Sequence, residues 1–386
     1  MAPPLGALGT VCGAGHCGAG DLTRPRQAQY VGGMAKVSAG IVGATGYMGG
    51  EALRGLLDHP DVRVAWVASR GGGRLDDAHP NLYDLGLSLI HPDSAGACDV
   101  VFLALPTAAS VEMSARFLDR GTKVIDLGAA FRLADRARWE SLYGLEHPRW
   151  DLAKEAVYGI SELHADTIGR ARLIANPGCF SSAAILGLAP LVKANLVEIE
   201  RLVVDGLSGT AGVGAELSRA AHHPEIGNNL IPYNVVGHRH TSEMEQELTG
   251  LRAGSVRVHF TPVYTPIVRG ILDICHAFPT RAVSRATLLE LYRDFYGSEP
   301  FVKVYDLPEE TGAAWRYKPY PWVSAVAGTN YCFIGLDVDE ERGRIVVFSV
   351  LDSLGKGGAL VGIENMNLMF GLPRTAGLER RGLHPA

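Results

Sequence analysis

The segment GATGYMG, residues 43–49, stands between an apolar strand signal, KVSAGIVGA, and a helical pattern through Glu51, Leu53, Leu56 and Leu57. Strand, glycine turn and helix in that order open a doubly wound α/β sheet, and no other feature restricts the fold of this chain as strongly. Gly43, Gly46 and Gly49 permit a tight turn and let backbone N–H groups approach a pyrophosphate at the helix N-terminus. The spacing is G-x-x-G-x-x-G rather than G-x-G-x-x-G, so the strand–turn–helix context carries the assignment. Without a ligand the same segment is only a tight turn.

Further strand signals follow, VRVAWVAS, DVVFLALP and TKVIDLGA, separated by helical patterns. Short apolar runs alternating with helices predict buried parallel strands, hence a Rossmann-like domain up to about residue 175. Beyond it an apolar helix over 179–194 precedes RLVVDGLSGT, VRVHFTPVY, IVRGILDICHAF, YCFIGLDVD and RIVVFSVLD. These alternate and lie close together, which predicts an α+β domain with a mainly antiparallel sheet. The last apolar stretch, GALVGIENMNLMFGL, reads as a helix packing back on the first domain. A chain of 386 residues exceeds one ordinary core. The expected division is a dinucleotide-binding domain over 38–175 and 353–386, and a catalytic and oligomerisation domain over 176–352.

Residues 1–37 are small, Pro/Gly-rich and without periodicity, and read as a flexible extension. Met34 is an alternative start. Cys12, His16 and Cys17 make a poor metal set in an unstructured frame, and no metal site is expected. A net charge of −5 gives no footprint for nucleic acid. No apolar run is long enough to span a bilayer. Six scattered cysteines suit reduced thiols, so a cytoplasmic location is expected.

The second strand ends VASRGGGR, with Ser69 and Arg70 where an NAD site places an acid for the ribose hydroxyls. A hydroxyl and a guanidinium suit a 2′-phosphate instead, so the expected cofactor is NADP(H). The turns after the next two strands, LALPTAAS with Leu105 and Pro106, and DLGAAFR, should face the same crevice.

RLIANPGCFSS, residues 172–182, places a cysteine where a helix begins. Asn176 is expected to cap that helix, Pro177 to take its first position, and Cys179 to lie in the first turn. The helix dipole and free amides there should lower the thiol pKa and stabilise an oxyanion. The competing reading is a buried apolar cysteine. GHRHTSEMEQEL supplies His238 and His240 as candidate acid/base groups, with Glu243 at helical spacing, and AHHPEIG adds His222 and His223. Arg132, Arg269 and the SGTAGVG loop beginning at Ser208 and Gly209 are candidates for an anionic substrate group. A nucleophilic cysteine beside a hydride donor makes or consumes aldehydes.

Taken in order, GATGYMGGE, FLALP, DLGAAFRL, ANPGC, GHRHTSE, PIVRGIL and GTN resemble the N-acetyl-γ-glutamyl-phosphate reductase family. That family includes carrier-linked reductases that act on LysW-bound aminoadipyl phosphate. The resemblance covers about 38–384. It implies that Cys179 attacks an acyl phosphate and releases phosphate, and that NADPH reduces the thioester to a semialdehyde. A GHRH histidine serves as acid/base, with His240 favoured over His238. It also implies a homodimer or homotetramer. The cofactor-binding set is then Gly43, Thr45, Gly46, Tyr47, Met48, Gly49, Ser69, Arg70, Leu105, Pro106, Ser182, Asn330 and Lys356. The substrate set is Arg132, Ser208, Gly209, Glu243 and Arg269.

AHHPE, HPRWDL, VVGHRHTSE and GLHP lean toward the carrier-linked branch. Departures from the family pattern include Thr107 and Ala108 in place of an LPHG ending, Ala130 for Asp, and Ser161 for Pro. DSLGKGGAL also stands for DNLxKGTAG, with Ser353, Gly358 and Leu360 as the changes. These motivate two rivals: a silent dinucleotide-binding sensor or assembly subunit, and a non-phosphorylating aldehyde dehydrogenase.

Overall fold

The computed structural model describes residues 35–306 and 320–384. The readings of residues 1–34, including Met34 and the Cys12, His16 and Cys17 set, lie outside the described residues. The first sheet comprises β1 (Val37–Val42), β2 (Val62–Ala68), β3 (Leu89–Ile90), β4 (Val100–Leu103), β5 (Lys123–Asp126), β6 (Val157–Tyr158) and β7 (Leu173–Ala175). Its order is β3-β2-β1-β4-β5-β7-β6, and every pairing is parallel. β4 is buried throughout and β1 nearly so, because helices cover both faces. The order reverses between β1 and β4, so a crevice opens beyond their C-terminal ends. The glycine turn and Leu105 lie there.

The second sheet comprises β8 (Leu202–Ser208), β9 (Ile231–Pro232), β10 (Val258–Tyr264), β11 (Ile271–Ala277), β12 (Val302–Val304), β13 (Cys332–Asp339) and β14 (Arg344–Leu351). The order is β12-β13-β14-β11-β8-β10-β9. The pairs are antiparallel except β8 with β10 and β12 with β13, so the mainly antiparallel sheet is mixed. Along β8 and β11 buried residues alternate strictly with half-buried ones, the period of a sheet with one fully covered face.

The helix Cys179–Lys193 supplies that cover. Phe180 through Val192 are all buried, as expected of a helix apolar on every side. Gly187 lets it approach the sheet: a Cβ there would stand 3.3 Å from Ser349 Cβ and 3.5 Å from Cys275 Sγ. The helix Leu360–Met369 returns to the first sheet, where Leu360, Ile363 and Met366 join the core of β1 and β4. Gly55 makes room for Leu360 and Ile363. The cysteine helix thus starts directly after β7, where the two sheets meet.

Candidate active site

Cys179 is the first residue of its helix, and the residue before it, Gly178, occupies the cap position in extended conformation without a side-chain cap. The expected Asn176 cap is not formed. Asn176 lies too early in the chain and is held on three sides. Its Nδ2 donates to the Gly358 carbonyl (2.9 Å), its backbone N–H donates to the Asp126 carbonyl (3.0 Å), and its own carbonyl accepts from Arg132 Nε (2.7 Å). Pro177 therefore precedes the helix rather than opening it.

The expected lowering of the thiol pKa is also corrected. Burial pushes Cys179 up to about 11, against opposing pulls from the Phe180 amide and the Arg132 and Arg239 guanidinium groups. The sulfur is therefore a thiol in the ligand-free protein and needs a base.

Two histidines are brought to it by the helix Arg239–Thr249. His238 caps this helix, its Nδ1 accepting the His240 backbone N–H at 3.2 Å. That bond assigns the proton of the neutral His238 ring to Nε2. The His240 ring packs onto Gly178: a Cβ at residue 178 would stand 2.4 Å from His240 Nε2. His240 Nε2 also lies 3.9 Å from Glu243 Oε1, while its buried Nδ1 has no partner. Burial holds His238 down to about 4, helped by the charge of Arg239. Burial, His238 and the nearby arginines hold His240 well below 6.5. Both rings are neutral near pH 7, but the backbone N–H on His238 Nδ1 leaves only His240 with a ring nitrogen open to a proton.

Glu243, expected to touch substrate, is instead the buried post on which this arrangement hangs. Its Oε2 accepts from the Tyr158 hydroxyl (2.7 Å) and the Gly178 amide (3.1 Å), and its Oε1 faces Arg132 Nη1 at 3.3 Å. Arg132 is buried with it and joins Glu243 to the Asn176 carbonyl. Arg269 is likewise committed. It makes paired contacts to Asp352 (2.9 and 3.0 Å) and to Glu51 (3.0 and 3.2 Å), tying the second sheet to the helix Tyr47–Leu57. None of these three has charge left over for a substrate.

The cleft in front of Cys179 has a volume of about 340 Å³ and is walled by Phe180, Ser208, Tyr143, Tyr233, Tyr264, His238 and His240. The Tyr233 and Tyr264 rings are stacked, with centroids 3.9 Å apart. Ser208 donates to the Gly209 carbonyl, and Gly209 itself lets the Val268 carbonyl approach where a Cβ would stand 2.6 Å away. Arg239 also lines the cleft. The substrate set read from sequence omitted it, although it stands in plain view between the two histidines.

The dinucleotide groove fits its glycines. Gly43 has φ +83°, and a Cβ there would stand 2.2 Å from the Ala104 carbonyl oxygen. A Cβ on Gly49 would meet the Gly43 carbonyl oxygen at 2.3 Å, so the helix can begin only with glycine there. Gly46 caps the helix that starts at Tyr47. Thr45 Oγ1 meets Ser69 Oγ at 3.2 Å, joining the glycine turn to the end of β2, and the exposed Arg70 follows. Leu105 and the exposed Pro106 complete the β4 side. Gly358, where the family pattern has Thr, leaves room for Met48: a Cβ there would stand 2.9 Å from the Met48 thioether.

Three expected cofactor residues are turned inward. Ser182 Oγ donates to the Gly178 carbonyl (3.0 Å). Asn330 Nδ2 donates to Glu364 Oε2 (2.7 Å). Lys356 Nζ is fully buried between Glu162 and Glu364, 2.6 Å from each. Two of the three ammonium protons are taken up by these buried carboxylates, and the group is 1% exposed.

A doubly wound dinucleotide sheet joined to a mixed-sheet domain, with a helix-terminal cysteine facing two histidines, defines an NAD(P)-dependent oxidoreductase of the semialdehyde dehydrogenase class. Residues 38–171 match the family model described as semialdehyde dehydrogenase, NAD binding domain, and residues 179–353 match the semialdehyde dehydrogenase dimerisation domain. The fold is that of aspartate semialdehyde dehydrogenase II from Vibrio cholerae (TM-score 0.66, 18% identity, 86% of this chain and 98% of that one). It is also that of the Candida albicans aspartate semialdehyde dehydrogenase solved with NADP (TM-score 0.62, 17% identity, 87% and 99%).

Sequence relatives narrow the class. The chain is 45% identical over 357 residues to N-acetyl-gamma-glutamyl-phosphate reductase of Methanopyrus kandleri, covering 90% of this chain and 100% of the relative. It is 43% identical over 357 residues to a Thermomicrobium roseum protein provisionally named [LysW]-L-2-aminoadipate 6-phosphate reductase, covering 90% and 99%. The protein belongs to the N-acetyl-γ-glutamyl-phosphate reductase family, as the motif resemblance implied. Among the described residues no helix is long and apolar enough to cross a membrane, and no group of three or more His, Cys, Asp or Glu side chains is placed to hold a metal ion.

Proposed function

We propose that the protein catalyses the NADPH-dependent reduction of an N-blocked γ-glutamyl or δ-aminoadipyl phosphate to the semialdehyde, releasing phosphate. The observation that carries this reading is the neutral, buried His240 ring packed on Gly178, the residue before Cys179, with His240 and Cys179 lining one cleft. The imidazole takes the thiol proton as sulfur attacks the acyl carbon. The carbon–oxygen bond to phosphate then breaks, the phosphate takes a proton from solvent as it leaves, and a thioester remains on Cys179. Amides of the first helical turn, which have no intrahelical acceptor, favour the oxyanion that forms on the way. Bound NADPH supplies the hydride that reduces this thioester. His240 then returns its proton to the departing Cys179 sulfur as the aldehyde forms.

His240 suits this role better than His238, because its Nδ1 is free while the Nδ1 of His238 is occupied by a backbone N–H. NADP(H) is favoured over NAD(H) because β2 ends in Ser69 and Arg70 with no carboxylate. Gly43, Thr45, Gly46 and Gly49 would hold the pyrophosphate. The match to a dimerisation domain supports a homodimer or homotetramer, and a biosynthetic reductase of this kind belongs in the cytoplasm.

The test offers purified enzyme the acetylated and the carrier-linked semialdehydes with NADP⁺, each with and without phosphate. NADPH formation that requires phosphate is expected, and the substrate accepted assigns the blocking group. Turnover without phosphate would favour a non-phosphorylating dehydrogenase. No turnover with either semialdehyde would favour a silent binding subunit.

A further inference from the structure

We infer that Arg239 holds the phosphoryl group of the substrate beside Cys179. The inference rests on the acyl-phosphate reading above and gives a role to a residue of the GHRH motif that the expected substrate set leaves out. Arg239 is exposed, lines the cleft with Cys179, and makes no ion pair or hydrogen bond among the described residues. It is the only lysine or arginine among the described residues lining that cleft. The two arginines expected to take an anion are closed off, Arg132 by Glu243 and Arg269 by Glu51 and Asp352.

The charge of Arg239 acts on the groups around the cleft it lines. It draws down the thiol of Cys179 and the hydroxyls of Tyr143, Tyr233 and Tyr264, and it opposes protonation of both His238 and His240. All six groups line the same cleft as Arg239, the space in front of Cys179 where the acyl carbon must sit. The phosphate of an acyl phosphate is attached to that carbon, whereas the α-carboxylate lies several bonds away. A guanidinium meets a phosphate through two parallel N–H···O bonds. The charge it neutralises grows as the carbon–oxygen bond breaks, so the contact strengthens toward the transition state.

The test uses the reverse reaction of the full-length enzyme, with semialdehyde, NADP⁺ and inorganic phosphate, for wild type, Arg239→Lys and Arg239→Met. The expected result is a phosphate KM raised about ten- to hundredfold in Arg239→Met, with a smaller rise in Arg239→Lys. The semialdehyde KM should stay within about twofold, because only the phosphate contact is lost. A raised semialdehyde KM with unchanged phosphate KM would overturn the inference and assign Arg239 to the carboxylate. Two unchanged constants would leave it a solvated surface arginine. Wild-type turnover without phosphate would instead refute the acyl-phosphate reading itself, whatever the variants do.

Discussion

His240 and Gly178 are in van der Waals register: any side chain at 178 would begin 2.4 Å from the imidazole Nε2. The glycine of the NPGC motif is therefore the seat of the base, as well as the cap of the cysteine helix. Glu243 locks the seat from below by accepting the Gly178 amide at 3.1 Å.

Gly178→Ala should therefore act on catalysis. The methyl must displace His240 from the thiol, and misplacement of about 1 Å costs on the order of 100-fold in rate. We expect kcat to fall about that far while NADPH affinity is preserved, as read by steady-state kinetics and cofactor titration. Unchanged kcat would mean that His240 is not the base.

Lys356 sits at the centre of a buried cluster with Glu162 and Glu364, the latter also held by Arg374. Burial opposes its charge, but the two carboxylates raise its pKa regardless. Lys356→Met leaves the carboxylates under-compensated and should destabilise the fold by about 3–5 kcal/mol in urea unfolding. The affinity for NADPH should not change. A weakened cofactor with intact stability would restore Lys356 to the cofactor site.

Asp273 lies on β11, fully buried, with neither carboxylate oxygen in a well-formed hydrogen bond. Burial raises its pKa well above 3.8, against a lesser pull from the Ala184 amide. As pH rises past 3.8 the unfolded chain gives up this proton first, while the folded one keeps it. The native state then binds the extra proton, so this group's contribution to stability falls with rising pH. Asp273→Asn should raise Tm more at about pH 8 than at about pH 4. An equal shift at both would show that Asp273 does not titrate differently in the two states.

The Cys179 thiol, pushed up to about 11, should alkylate slowly in the ligand-free enzyme. The iodoacetamide rate should keep climbing from about pH 7 to pH 10 instead of levelling off near neutrality. A plateau below about pH 7 would mean a thiolate already formed in the resting enzyme.

Much of this was legible locally. Gly43 and Gly49 announce their turn because a Cβ at either collides with a neighbouring carbonyl, and the alternation in β8 and β11 marks a sheet with one covered face. The placement of Cys179 at a helix start was readable from NPG, although the cap fell on Gly178 rather than Asn176. What the sequence did not show concerns the partners of charged groups. Arg132, Arg269 and Glu243 looked available because their partners lie far away in sequence, while Lys356 pairs with the distant Glu162 and with Glu364 eight positions on. Arg269 meets Glu51 218 positions distant, and Arg132 meets Glu243 111 positions distant. No local pattern says which cation meets a buried carboxylate and which, like Arg239, is left facing a cleft.

The proposed reaction passes through one covalent species, the acyl group on Cys179. The direct measurement mixes enzyme, semialdehyde and NADP⁺ without phosphate, and follows NADPH formation together with the mass of the peptide containing Cys179. The expected result is a burst of NADPH equal to the enzyme present and an acyl adduct on Cys179 that disappears on adding phosphate. Continuous turnover without phosphate, or a burst with no adduct on Cys179, would contradict it.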